Sequence, residues 1–128
     1  MTSRLAIITA ALFMAAAVAL GAFGAHALKG RLAPEMLVVW QTGVNYHAWH
    51  GLALLMIGML LRGTDRPALR SAAWLFIAGI VLFSGSLYSL ALGAPSSIGL
   101  VTPLGGVAFI AGWVMLAIGA MRSMGSEL

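Results

Sequence analysis

LAIITAALFMAAAVALGAFGAHAL, residues Leu5 to Leu28, contains no charged side chain, and its most polar member is His26. A helix needs about 20 predominantly apolar residues to cross the roughly 30 Å of hydrocarbon in a bilayer. This run is long enough. Its length also argues against a cleaved export signal, whose apolar stretch covers only about 7–15 residues. That holds even though Arg4 supplies a basic start and Ala25-His26-Ala27 has the small-x-small form of a cleavage site. The segment reads as a retained transmembrane helix.

Outward from that run the composition repeats the message. Of 128 residues, 62% are hydrophobic and only 8% charged, with a mean hydropathy of +1.03. A soluble domain carries about a quarter charged residues to coat its surface. The chain reads as a single integral membrane domain, residues 1–128, whose solvent is lipid. A net charge of +4 would suit nucleic acid, but Arg4, Lys29, Arg31, Arg62, Arg66, Arg70 and Arg122 sit at the ends of apolar runs and form no stripe. A nucleic-acid partner is therefore not expected; such residues set topology and meet lipid phosphates. With no cysteine, disulfides, thiolate nucleophiles and cysteine metal sites are excluded.

After the first span, Ala33-Pro34-Glu35 reads as a helix start: proline lacks only an N–H that the first turn does not use, and the helix dipole favours the acid. From Pro34 to Leu61 would be about 42 Å of helix, more than one crossing requires. The reading adopted is an interfacial helical segment at about 34–44, a break near Gly43, then a span at about 45–61. Arg62 to Arg70 forms a charged turn, Ser71 to Leu92 a third span, and Gly93 to Pro103 a loop rich in glycine, proline and serine. Thr102 is the expected N-cap of a fourth span at about 103–121. The fold class expected is all-α: a four-transmembrane-helix bundle with an interfacial segment between helices 1 and 2. Arg4, Arg62, Arg66, Arg70 and Arg122 fall on one side, with Lys29, Arg31 and Glu35 on the other. The positive-inside rule then puts both termini in the cytoplasm, in a bacterial inner membrane.

Small residues, dense on the first helix and recurring as Gly79, Gly85, Gly105, Gly106 and Gly112, suit close packing, because lipid tails give helices no hydrophobic reason to associate. The polar residues gather at one end: His26, then Trp40, Gln41, Asn45, Tyr46, His47, Trp49 and His50, then Ser84, Ser86 and Tyr88, then Thr102. At about 100° per residue, Gly43, Tyr46, His47 and His50 share one arc, while Gln41, Asn45 and Trp49 occupy another. A helix polar on two faces cannot show both to lipid tails. It lies at the interface, or protein covers both faces.

His47 and His50 share a helix face, and three neutral imidazoles with His26 would make a zinc or copper site; His26 with His50 would ligate a haem. No motif such as H-E-x-x-H supports either, and the ordinary role of such histidines is hydrogen bonding within the bundle. No metal or cofactor is assigned. Neither a carboxylate pair nor a G-x-S-x-G nucleophile motif is present, so an enzyme is not the favoured reading. No span holds Asp, Glu, Lys or Arg, the usual mark of ion coupling.

Four stretches carry a family resemblance: Gly21-Ala22-Phe23-Gly24-Ala25-His26; Trp40-Gln41-Thr42-Gly43-Val44-Asn45-Tyr46-His47-Ala48-Trp49-His50; Phe83-Ser84-Gly85-Ser86-Leu87-Tyr88; and Thr102-Pro103-Leu104-Gly105-Gly106 with Phe109 and Gly112-Trp113. In this order they resemble the small bacterial membrane proteins grouped as domain of unknown function 423, which have relatives in animal mitochondria. The resemblance implies a four-helix inner-membrane protein and supplies no activity. The family pattern admits glutamine at position 47, leaving His26 and His50 as the better ligand candidates. The function expected is a non-catalytic accessory or scaffold module, or one holding a lipid or hydrophobic ligand at an outward polar pocket. A histidine-based metal or haem protein and a passive oligomeric channel are the alternatives. Membrane lipid is the expected partner, with a homo-oligomer or larger membrane complex as the further possibility.

Overall fold

The computed structural model describes residues 1–124. The tail with Glu127 and Leu128, and the side chain of Arg122 from the basic count, lie outside the described residues. Helix α1 covers Ser3–Leu28, its last stretch Gly24–Leu28 widening into a π turn. Helix α2 covers Pro34–Leu60. Helix α3 covers Pro67–Ala91, with a second π turn at Ile80–Ser84. A short 3-10 turn, Ser96–Leu100, leads into α4, Thr102–Met124. Among the described residues there is no strand.

Local chemistry sets most of the ends. Thr2 caps α1 by accepting the Leu5 amide at 3.2 Å. Pro34 and Pro67 each open a helix at the position where proline's missing N–H is harmless. Gly30 and Gly93, at φ of +81° and +97°, turn the chain out of α1 and α3 in a conformation that side chains other than glycine rarely adopt.

The expected break near Gly43 is corrected: Pro34–Leu60 is one continuous helix. Gly43 serves as a close-approach position instead. A Cβ there would lie 2.8 Å from Tyr88 Cε1, and the Gly43 carbonyl accepts the Ser84 hydroxyl at 2.7 Å. The third helix also starts earlier than expected, at Pro67.

α2 is the central element. It runs antiparallel along α1, with Val44 against Gly21, Gly51 against Met14 and Gly58 against Ile7. α3 packs on both α2 and α4. Gly105, Gly112 and Gly119 recur every seven residues on α4 and meet Phe83, Phe76 and Leu69 of α3; that period keeps one face of α4 turned to its neighbour. Ala6, Ala10, Leu54, Ile57, Phe76 and Phe109 form the middle of the core. α1, α3 and the Ser96–Met121 segment are long and apolar enough to cross a membrane. At the end where α2 meets α3, Arg66 donates to the Gly119 carbonyl at 2.6 Å and to the Thr64 hydroxyl at 2.9 Å, while Arg70 pairs with Asp65 at the surface.

Neighbouring glycines give a direct test of this packing. A Cβ at Gly105 would collide with the Phe83 backbone, whereas one at Gly106 would rest at an ordinary 3.9 Å from the Phe83 ring. Gly105→Ala is expected to lose about 1–3 kcal/mol, the usual cost of overpacking. Gly106→Ala should be neutral or gain up to about 1 kcal/mol from reduced chain freedom. Denaturation in detergent checks both.

Candidate functional site

The polar residues of α2 are divided between its inward and outward faces. On the inward side each reaches a different neighbour. Trp40, buried, donates its indole N–H to the Leu20 carbonyl of α1 at 2.9 Å. Its ring fills the place left open by Gly24 and lies 4.7 Å from the Tyr88 ring, centroid to centroid. His47 Nδ1 shares a hydrogen bond of 3.0 Å with the Tyr88 hydroxyl. The edge-on contact of its ring with Phe13 turns it toward α1 and α3. Its Nε2 is buried without a hydrogen-bond partner among the described residues.

His50 faces α4. Its Nδ1 lies 2.7 Å from the Tyr46 carbonyl of its own helix, and its Nε2 lies 3.1 Å from the indole nitrogen of Trp113. A carbonyl only accepts and an indole N–H only donates. The ring is therefore the neutral tautomer, with the proton on Nδ1 and the Nε2 lone pair taken by Trp113. Phe109 stacks on it at 3.5 Å with an interplanar angle of 12°. Both nitrogens are occupied, leaving no lone pair for a metal.

Further along α3, Ser84 is fully buried and bonded to Gly43. Ser86 donates its one hydroxyl proton to the Phe83 carbonyl at 2.8 Å, so the 2.6 Å contact with Thr102 must be donated by Thr102. That bond ties the start of α4 to α3. Tyr46 lies against Trp49 and Phe83.

His26 is exposed at the end of α1 and does not join the other two histidines. His47 and His50 diverge, one toward α1 and α3, the other toward α4. Among the described residues no group of three His, Asp or Glu side chains could hold a metal ion. Gln41 and Asn45 bond each other at 2.8 Å along the outer face of α2, and Trp49 is exposed on the same side. The cluster is thus a set of interhelical latches. It does not converge on one ligand. Sequence reasoning assigned no role to Trp113 and Phe109, the residues that hold His50. They stand 63 and 59 positions away in the chain, and only their place in the quoted motif marked them.

Beside the latches, the end of α1 and the start of α2 leave a groove of about 300 Å³, lined by Gly24, Ala25, Lys29, Leu37, Trp40 and Gln41 among others. Its walls are mostly apolar, with an ammonium and an amide at the rim.

His50→Ala removes two hydrogen bonds and a stacked ring, and leaves the Trp113 N–H unpaired. It is expected to cost at least about 2 kcal/mol. Ser89→Ala, which loses only a bond to its own helix at Gly85, should stay within about 0.5 kcal/mol. Equilibrium unfolding in detergent distinguishes them.

Comparison with known proteins places the chain in a family. The family model described as Protein of unknown function (DUF423) matches residues 20–106, a stretch that holds every residue of the polar cluster from His26 to Thr102. A UPF0382 membrane protein of Staphylococcus haemolyticus is 46% identical over 122 residues, covering 95% of this chain and 99% of its own. The UPF0382 membrane protein YwdK of Bacillus subtilis is 49% identical over 107 residues, covering 83% and 87%. One from Staphylococcus saprophyticus is 48% identical over 116 residues, covering 91% and 96%. No solved structure matches. The chain belongs to the DUF423 family of bacterial membrane proteins, whose function is unknown.

Proposed function

We propose that this chain is a four-span, non-catalytic protein of the bacterial plasma membrane that holds an anionic phospholipid in the groove beside Lys29. The observation that carries this reading is how the polar groups are used. Trp40, His50, Ser84, Ser86 and Tyr88 all turn to protein partners. Catalysis needs nucleophile, acid–base and stabilising groups that converge on one pocket, and these side chains turn instead to separate neighbouring helices. Lys29, by contrast, stands exposed at the rim of an apolar groove, an arrangement that suits a headgroup phosphate above an acyl chain.

Four crossings are supported by the packing of α2. It accompanies α1 from Gly58 beside Ile7 to Val44 beside Gly21, so it crosses wherever α1 crosses. Its 27 residues span about 40 Å, which lets the first turn after Pro34 project beyond the hydrocarbon. Arg4, Arg62, Arg66 and Arg70 gather at the end opposite Lys29, Arg31 and Glu35, which favours cytoplasmic termini and a groove on the outer side. The alternatives are weaker. The histidines do not converge as a metal or haem site would require; a passive oligomeric channel would have to run between copies, because Leu54, Ile57 and Phe76 fill the interior of the single chain.

Two measurements test this. After purification from membranes containing phosphatidylglycerol, Lys29→Gln should retain less than about half the lipid kept by the wild type, while Arg31→Gln, equally charged and outside the groove lining, should match the wild type. Equal retention by both variants would remove the groove from consideration. A reporter active only in the cytoplasm, fused after Leu128, is expected to be active; activity there of a reporter that works only outside would reverse the orientation.

A further inference from the structure

The outward face of α2 carries residues that lipid tails cannot satisfy. Val38, Gln41, Asn45, Ala48, Leu52 and Met56 follow one another in steps of three and four residues, the spacing of a helix–helix seam. Val38, Leu52 and Met56 are well exposed, and Gln41 and Asn45 stand in the same row. The outward faces of the neighbouring helices differ: Leu12 and Val18 on α1, Val81 on α3, and Val107 and Ile110 on α4 are apolar and exposed. Outward hydroxyls return to their own helix, Thr42 to the Val38 carbonyl and Ser89 to that of Gly85.

The two amides do not do the same. Gln41 Nε2 donates to Asn45 Oδ1 at 2.8 Å. Gln41 Oε1 then remains as a free acceptor and Asn45 Nδ2 as a free donor among the described residues. Depth makes this consequential. With Val44 against Gly21 and Gly51 against Met14, Asn45 stands level with Leu20 of α1. Leu20 lies about 24 Å from Arg4 at 1.5 Å per residue, inside a hydrocarbon layer of roughly 30 Å. Asn45 is thus held inside that layer, where an unmet amide is strongly disfavoured; Gln41, level with Gly24, stands at its outer edge, about 30 Å from Arg4.

We propose that this seam docks on the same seam of a second copy of the chain, α2 against α2, about a two-fold axis along the membrane normal. The occupant follows from complementarity. Each Gln41–Asn45 pair leaves the Gln41 carbonyl oxygen and the Asn45 amide nitrogen without a partner, and a two-fold copy presents the same two groups in return, so each oxygen can accept from the other copy's nitrogen. An apolar partner or an acyl chain would satisfy neither. Ala48, the next residue of the seam, is small enough to let the two helices approach. Val38 and Gln41 also line the Lys29 groove, so the seam borders one wall of it; in the dimer the Gln41 oxygen serves the seam, while Lys29 serves the groove. This inference rests on α2 crossing the membrane, as proposed above.

The absence of native cysteine makes the test clean. Leu52→Cys on the seam and Ile110→Cys on α4 are each introduced into two differently tagged copies, co-expressed, and oxidised in native membranes. Disulfide-linked pairs carrying both tags are expected for Leu52→Cys and only background for Ile110→Cys. Adding Asn45→Val, or in a separate chain Gln41→Leu, should at least halve the Leu52→Cys product, with unchanged thermal unfolding of the purified protein reporting an intact bundle. Equal cross-linking at position 110, an undiminished product in both amide variants, or linkage only to other proteins would overturn the dimer. Impermeant maleimide labelling of Glu35→Cys and Thr64→Cys separates the two readings. Labelling from opposite sides keeps α2 as a span whatever the cross-linking gives, and labelling from one side removes the basis of both.

Discussion

The arrangement of the whole bundle depends on one constraint: α2 carries its polar side chains through an apolar interior, and each must find a protein partner. An unpaired polar group in such surroundings costs about 1–3 kcal/mol or more. Apolar burial cannot set the helices by itself, because lipid tails are as apolar as the core. Here every neighbour of α2 supplies a bond. α1 offers the Leu20 carbonyl to Trp40, α3 offers Ser84 to Gly43 and Tyr88 to His47, and α4 offers the Trp113 indole to His50. Rotating any one of these helices about its axis would strand a donor or an acceptor, so these contacts fix the rotational setting of each.

Bonds of this length require backbones that come close, which is the work of the glycines. Gly43 admits the Tyr88 ring, Gly24 admits Trp40, and Gly79 admits Phe109, the ring stacked on His50. The π turn at Ile80–Ser84 belongs to the same device. It widens α3 where Phe83 meets Gly105, and it ends on Ser84, whose hydroxyl reaches Gly43. A π turn leaves local backbone groups out of the regular ladder; this one coincides with the place where three helices converge.

The all-helical class was legible in the amino-acid sequence because apolar runs of this length have few other solutions in lipid. The start at Pro34 and the charged turn were legible too, whereas Pro67, placed inside that turn, opens the third helix instead. Gly43 was misread because glycine disfavours a helix interior by intrinsic propensity. Its compensation, a ring from α3 and a hydroxyl bond, lies some 40 residues away in the chain. The polar cluster was legible as a list and not as an arrangement. His47 and His50 share a helical face by spacing, yet the neighbours divide that face: Phe13 and Tyr88 flank one ring, Phe109 and Trp113 the other. Residue type at three positions could not reveal that division, because it depends on what the other helices bring.

The two arcs of α2 follow one rule applied to different surroundings. Inside, polarity is consumed pair by pair, and His50 shows how completely: its tautomer is dictated from both sides, so it can neither take a metal nor gain a proton without losing a bond. His47 retains one unbonded nitrogen, against the Phe13 ring. Outside, Gln41 and Asn45 satisfy each other only in part. With most of the inward polar groups of α2 bonded to neighbouring helices, an Asn45 amide left half-paired inside the hydrocarbon calls for a partner beyond this chain.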